Sequence, residues 1–294
     1  VRRKALALAP LAAVLMLAAC GTATNNASTA SPSASESSPS ASPSATCTKD
    51  SLTTVAPGKL TVATGEPAFS PWVENDKPES GEGFEAAVAY AVAEQLGFAE
   101  ADVTWIRTTF DGAIAPGPKK FDFNIQQYTI TDERKKAVDF SSSYYDLSQA
   151  VVSYKGSPIA DVTTVAGLKD AKLGAAIGTT SLKAIDEQIQ PTTRAKVYND
   201  NAAAVTALKN KQIDGIVVDL PTAFYLAAAE IDKGVIVGQL PDSATDKEQL
   251  GLLLAKNSPL TSCVTEAVDA LREDGTLATL QDTWLAQAGA PVLS

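Results

Sequence analysis

The stretch IDGIVVDLPTAFY, residues 213–225, decides the fold. Its apolar run at 213–218 reads as a strand buried on both faces. The run stops at Asp219-Leu220-Pro221, and 221–230 reads as a helix. A continuous apolar strand feeding a helix is the unit of an α/β protein with a covered, largely parallel sheet. Ligands of such sheets bind beyond the carboxyl ends of the strands. Asp219 stands there, where its plain reading is a turn or cap residue.

The same alternation extends in both directions. Strands are predicted at 60–64, 103–107, 121–125, 147–154, 173–177, 196–198, 235–240 and 250–255. Helices are predicted at 201–210, about 260–273 and 276–287, with another opening at Thr179 or Thr180. Phe84, Val88, Val92 and Leu96 recur four apart on one helical face that Gly97 closes. The count suits two α/β lobes. Glu66, the run Gly178-Thr179-Thr180 and Asp219 all fall just past strand ends.

The run IQQYTITDERKKAVDF, residues 125–140, holds five consecutive charges, Asp132 to Lys136. Taken alone, Arg134 in that run reads as a solvated charge. Thr179 and Thr180 read as a helix cap, Phe69 and Phe110 as core residues, and Glu66 as a surface acid.

The chain has 294 residues, a net charge of −10 and no histidine. Its length allows one large or two medium domains. The acidic balance argues against nucleic acid and anionic membrane as partners. Without histidine there is no Ser-His-Asp or Cys-His arrangement, and most zinc sites are excluded. No P-loop, GxSxG or HExxH occurs. An enzyme would have to work with carboxylates, lysines and hydroxyls, and no metal or cofactor is expected.

The N-terminus reads as an address. Arg2, Arg3 and Lys4 precede the apolar residues 5–19, a stretch short for a membrane span that contains Pro10. It ends in Leu17-Ala18-Ala19-Cys20-Gly21, which resembles the lipobox of bacterial lipoproteins. That resemblance implies a signal peptide over 1–19 and lipidation of Cys20, the alternative being an ordinary secretory signal. Residues 21–46 are nearly all Ser, Thr, Ala and Pro, with Glu36 as their one charge. Too poor in apolar residues to build a core, they read as a disordered tether. Cys47 and Cys263 remain; in an exported chain two leftover thiols are expected to pair, the alternative being two separate buried thiols.

Six motifs together carry a family resemblance: VATGEPAFSPW (62–72), GFEAAVAYAVAEQLG (83–97), TITDERKKAVDFSSSYY (129–145), GTTS (178–181), IDGIVVDLPTAFY (213–225) and LREDGTLATLQDTW (271–284). From about 59 to 284 the chain resembles the amino-acid-binding proteins of bacterial ABC importers, solute-binding family 3. The resemblance implies the two-lobed type II periplasmic-binding-protein fold with two hinge strands, near 144–148 and 248–251. Lobe 1 would hold about 50–145 and 250–294, and lobe 2 about 149–245; Cys47 and Cys263 then share lobe 1. It further implies a binding protein rather than an enzyme, monomeric, held by lipid at the outer face of the cell membrane and read by a permease. The runner-up is a cyclohexadienyl-dehydratase-like enzyme on the same fold.

The resemblance also assigns roles. Arg134 matches the arginine that grips the ligand's carboxylate, a task for a planar guanidinium that lysine cannot copy. Thr129 bonds the same end. The backbone N–H groups of Thr179 and Thr180 approach from the other lobe, Asp219 pairs with the ammonium, and Phe69 and Phe110 flank the ligand. Ala176 and Val218 fall where glutamine-binding members carry lysine and histidine, so glutamine selectivity is not implied. Glu66, Gln126 and Gln127 depart from the family pattern and lean toward a polar or cationic side chain.

Overall fold

Strand and helix follow each other as the hydrophobic pattern requires. The computed structural model describes residues 47–242, 247–285 and 289–294. The stretches expected to form a signal peptide and a tether, with Cys20 between them, lie outside the described residues. In chain order the elements are β1 (Leu60–Gly65), α1 (Phe84–Gln95), β2 (Val103–Thr108), α2 (Phe110–Ile114), β3 (Phe123–Asn124), β4 (Val138–Leu147), β5 (Gln149–Tyr154), β6 (Leu173–Ala176), α3 (Thr180–Ala184), β7 (Lys196–Tyr198), α4 (Asn201–Lys209), β8 (Gly215–Asp219), α5 (Leu220–Tyr225), β9 (Gly234–Gln239), β10 (Glu248–Ala255), α6 (Thr261–Glu273) and α7 (Thr276–Trp284). Two five-stranded sheets result, ordered β2-β1-β3-β10-β4 and β7-β6-β8-β5-β9.

Both sheets are mixed rather than parallel. β1 runs parallel to β2 and β3, and β6 parallel to β7 and β8. β10 is antiparallel to β3 and β4, and β5 is antiparallel to β8 and β9. The reason lies in the crossings. The chain leaves the first sheet on β4 and enters the second on β5 with only Ser148 between them. It returns on β10, which pairs alongside β4 from Glu248↔Leu147 to Ala255↔Val138. The strand expected at 147–154 is therefore two elements, and β4 starts nine residues earlier than expected.

The apolar stripe of α1 works as its spacing predicts: Phe84, Val88, Val92 and Leu96 are buried in the first lobe's core with Trp72, Leu252 and Val264. In the second lobe, buried apolar residues form two clusters. Leu168, Leu173, Ile185 and Val217 belong to one, Val152, Leu208, Ile216 and Val218 to the other. Neighbours on β8 thus serve different clusters, the strand covered on both faces that its continuous apolar run predicted. Cys47 and Cys263, the latter on α6, form a disulfide across 216 residues of chain.

The final residues differ from expectation. Residues 250–294 were expected wholly in lobe 1. Instead Val292 bridges Gln239 of β9, and Leu293 is buried in the second lobe's core. Among the described residues, no helix is long and apolar enough to cross a membrane, and no group of acidic or cysteine side chains could hold a metal ion.

Candidate functional site

Arg134 opens a short 3-10 turn, Arg134–Lys136, in the loop between β3 and β4. Of the five charges in that run, Asp132, Glu133, Lys135 and Lys136 are exposed, while Arg134 is 7 % exposed. Its Nη1 donates to the Thr129 carbonyl at 2.7 Å and its Nη2 to the Gly178 carbonyl of the second lobe at 3.0 Å. Phe110 lies under the guanidinium, 5.2 Å from Cζ to the ring centre, and stacks in turn on Tyr128. A cation over an aromatic face is favoured by the ring's quadrupole. Burial draws the guanidinium's pKa down from its usual value, while Glu248, Asp219 and Asp111 are among the groups opposing that shift.

Thr129 is set by a hinge strand. Residues 128–130 lie along β10: Ile130 N–H donates to the Gln249 carbonyl, and Gly251 N–H donates to the Tyr128 carbonyl. A Cβ on Gly251 would stand 2.8 Å from the Ile130 side chain, so a larger residue there would push that side chain aside. Thr129 Oγ1 then sits 3.2 Å from Thr180 Oγ1 of the second lobe and donates to Glu248 at 3.1 Å.

The second lobe brings α3 and Asp219 to the same place. Gly178 has a positive φ of 72°, and a Cβ there would lie 2.2 Å from an Asp111 carboxylate oxygen of α2. That close approach seats the start of α3 against the first lobe. Thr179 caps α3, accepting from Leu182 N–H at 3.2 Å, so the plain reading of its side chain holds. Asp219 occupies the cap position of α5 but makes no side-chain cap bond. Its Oδ1 accepts from Gln149 Nε2 at 3.0 Å instead. Burial, then repulsion from Glu248, pushes its carboxyl up to about 7. Trp72 Nε1 adds another bond between the lobes, to Thr222 Oγ1 at 2.8 Å.

A cavity of about 210 Å³ lies between the lobes. Its walls include Glu66, Phe69, Phe110, Gln127, Arg134, Thr179, Thr180 and Asp219. Thr129, expected there too, stands behind Arg134 and is not on the wall. Gln127 is on the wall, but its backbone N–H and its amide nitrogen both donate to Glu85. Glu85 is fully buried, takes a further bond from the Tyr144 hydroxyl, and is pushed up to about 7 chiefly by burial.

Several contributors escaped the sequence reading. Asn199, Asp200 and Asn201 line the cavity from the end of β7, with Asp200 also capping α4. Their signal was available, since they follow a predicted strand end. Gln149 and Glu248 gave none, because a polar residue beginning a strand has no distinguishing pattern. Glu85 did give one: it is a carboxylate directly beside Phe84, which opens the apolar stripe of α1. A second, wider depression of about 1280 Å³ lies along β4, β10, α6 and α7, and brings none of the expected site residues together.

The chemistry of the 210 Å³ cavity is bipolar, with a guanidinium from one lobe and a carboxylate from the other. Known proteins with related sequences are named for the amino acids they bind. The L-cystine-binding protein TcyJ of Escherichia coli K12 is 31% identical over 204 residues, covering 69% of this chain and 73% of that protein. The ABC transporter arginine-binding protein 1 of the same strain is 30% identical over 208 residues, covering 70% and 82%. A solved ancestral arginine-binding protein, bound to arginine, superposes with a TM-score of 0.63 at 30% identity, over 78% of this chain and 98% of that one. Residues 60–287 match the bacterial extracellular solute-binding proteins, family 3, and the chain belongs to that family.

Proposed function

We propose that this protein captures a free amino acid with a polar or cationic side chain by closing its two lobes, and delivers it to the membrane permease of an ABC importer. One observation carries the reading: Arg134 and Asp219, from different lobes, line the same small cavity. Burying both charged ends of an amino acid requires complementary charge and full hydrogen bonding. Arg134 meets the carboxylate with a planar fork, helped by the N–H groups of Thr179 and Thr180, and Asp219 meets the ammonium. Phe69 and Phe110 flank the ligand. Glu66 and Asp200 are further acids on the wall, where Arg134 is the only cationic side chain among the described residues. That excess of negative charge favours a cationic or hydrogen-bond-donating side chain. The names of the relatives support amino acids as the class.

Closure follows from the same geometry. Only with the lobes together are Arg134, Thr179, Thr180 and Asp219 all within reach of one molecule, so the ligand shifts the population toward the closed form. A dehydratase on this fold needs a general acid placed against its substrate. A carboxyl raised to about 7, as Asp219 is, is a candidate by that criterion alone. Its pairing across the cavity with Arg134 suits the zwitterion better.

The test is a thermal-shift panel of the twenty amino acids with ornithine and citrulline. A ligand of the folded state raises the melting temperature, and arginine, lysine or ornithine is expected to give the largest rise. Arg134→Lys should then weaken binding by calorimetry, by about 2 kcal/mol or more for the lost charge-assisted pair. Unchanged affinity removes Arg134 from the site, and turnover of a cyclohexadienyl acid would favour the enzyme. The anchor is part of the proposal: Cys20 carries lipid and residues 21–46 tether the domain at the outer membrane face. Cys20→Ser should move the protein from the membrane fraction to the soluble one; retention in the membrane counts against it.

A further inference from the structure

Gln149 is the first residue of β5, directly after the crossing at Ser148, and is 4 % exposed. Its amide nitrogen donates to Asp219 at 3.0 Å and to Glu248 at 3.2 Å. Its amide oxygen accepts from Ser181 of α3 at 2.7 Å. Glu248 is the first residue of β10, the other crossing strand, and also accepts from Thr129. One side chain therefore touches both crossing strands, the start of α3 and the carboxylate assigned to the ligand's ammonium.

We propose that Gln149 is a positioning residue that aims the Asp219 carboxylate into the cavity and ties it to both crossing strands, with Glu248 as its counterpart. This rests on the reading that Asp219 meets an amino acid's ammonium. The chemistry explains the residue type. Two carboxylates converge on one side of the amide, so its two N–H donors must face them, while the carbonyl oxygen faces the Ser181 hydroxyl. An amide separates the carboxylates without adding charge. A lysine in its place would neutralise Asp219 and compete with the ligand for it. The linkage also explains how closure is sensed: moving either crossing strand disturbs the group that Asp219 leans on.

The consequence is directional. The groups acting on Asp219 are Glu248 from β10, Glu85 from α1, Arg134 from the turn before β4, and Gln149 from β5. Tyr144 and Tyr145 of β4 also feel its charge. The Gln149 bond favours the ionised form, while Glu248 opposes it. Gln149→Leu should therefore raise the Asp219 midpoint, and Glu248→Gln should lower it.

The experiment follows the Asp219 carboxyl carbon by NMR titration in the full chain, alongside calorimetry with L-arginine from pH 5.5 to 8.5. For Gln149→Leu the loss of affinity should be greatest at the acid end, about tenfold for each unit the midpoint rises. For Glu248→Gln, affinity at pH 6 should match or exceed that of the unaltered protein. Opposite midpoint shifts support the proposal. Midpoints that stay put, or affinity losses that run parallel at every pH, overturn it and leave a merely structural glutamine. If the midpoints shift oppositely while L-arginine and the other amino acids fail to bind, the positioning role stands and the amino-acid reading falls.

Discussion

Asp219 shows how the carboxylate proposed to meet the ligand is held at a cost to the fold. Its carboxyl ordinarily ionises near 4 and is pushed up to about 7 by burial and by Glu248. Between those pH values the folded protein keeps a proton that the unfolded chain releases. Stability of the ligand-free protein therefore falls as pH rises through that window and stays lowered above it. Asp219→Asn removes the buried charge while keeping an oxygen for Gln149. Its ligand-free melting temperature should exceed that of the unaltered protein at pH 8 and match it near pH 4, by scanning calorimetry. Amino-acid binding should weaken by about two to four orders of magnitude, as removing one partner of a buried pair costs about 3–5 kcal/mol. A lower melting temperature at pH 8 would show that Asp219 is not a destabilising charge. The same site marks what single residues reveal in sequence. Arg134 was legible only through its motif, because a charge among four exposed charges looks solvated until its neighbours are placed. Gln127 was expected at the ligand's side-chain end and does line the cavity; its donors go to Glu85, with a positive φ of 49° that no side-chain pattern announces.

Elements were legible where they obey one period and obscure where they cross between lobes. α1 and β8 present clean apolar patterns, and both fall within two residues of their predicted limits. β4 does not alternate: its burial repeats as one buried residue and two partly buried ones through Val138, Ser141 and Tyr144. It lies at the edge of the first sheet and slips register against β10 near Leu250 and Gly251. Such irregularities bend a strand and increase its local twist. Serines at 141–143 suit that position but leave no strand signal. The antiparallel direction of β5 and β10 was equally hidden, since pairing direction depends on where the chain crosses and not on the composition of either strand. The crossing strands are thus the least legible elements, and they carry Gln149, Glu248 and the pairing that places Thr129.

At the scale of the whole molecule, the disulfide joins two ends of one lobe around the other. Cys47 and Cys263 both belong to the first lobe's core, and the 216-residue loop they close contains every strand of the second sheet. In the unfolded chain that link removes loop-closure entropy, about 5 kcal/mol for a loop this long. In the folded protein it lies in the core that packs α1 against α6, away from the residues lining the cavity. The two effects separate. Replacing both cysteines by serine should lower the melting temperature by on the order of 10 °C, with amino-acid affinity at 25 °C unchanged within a factor of two or so. Calorimetric scans and titrations on the same samples, with and without reductant, measure both quantities. An affinity loss in step with the stability loss would mean that the bridge shapes the cleft; an unshifted melting temperature would mean that the unfolded chain gains little freedom when the loop is opened.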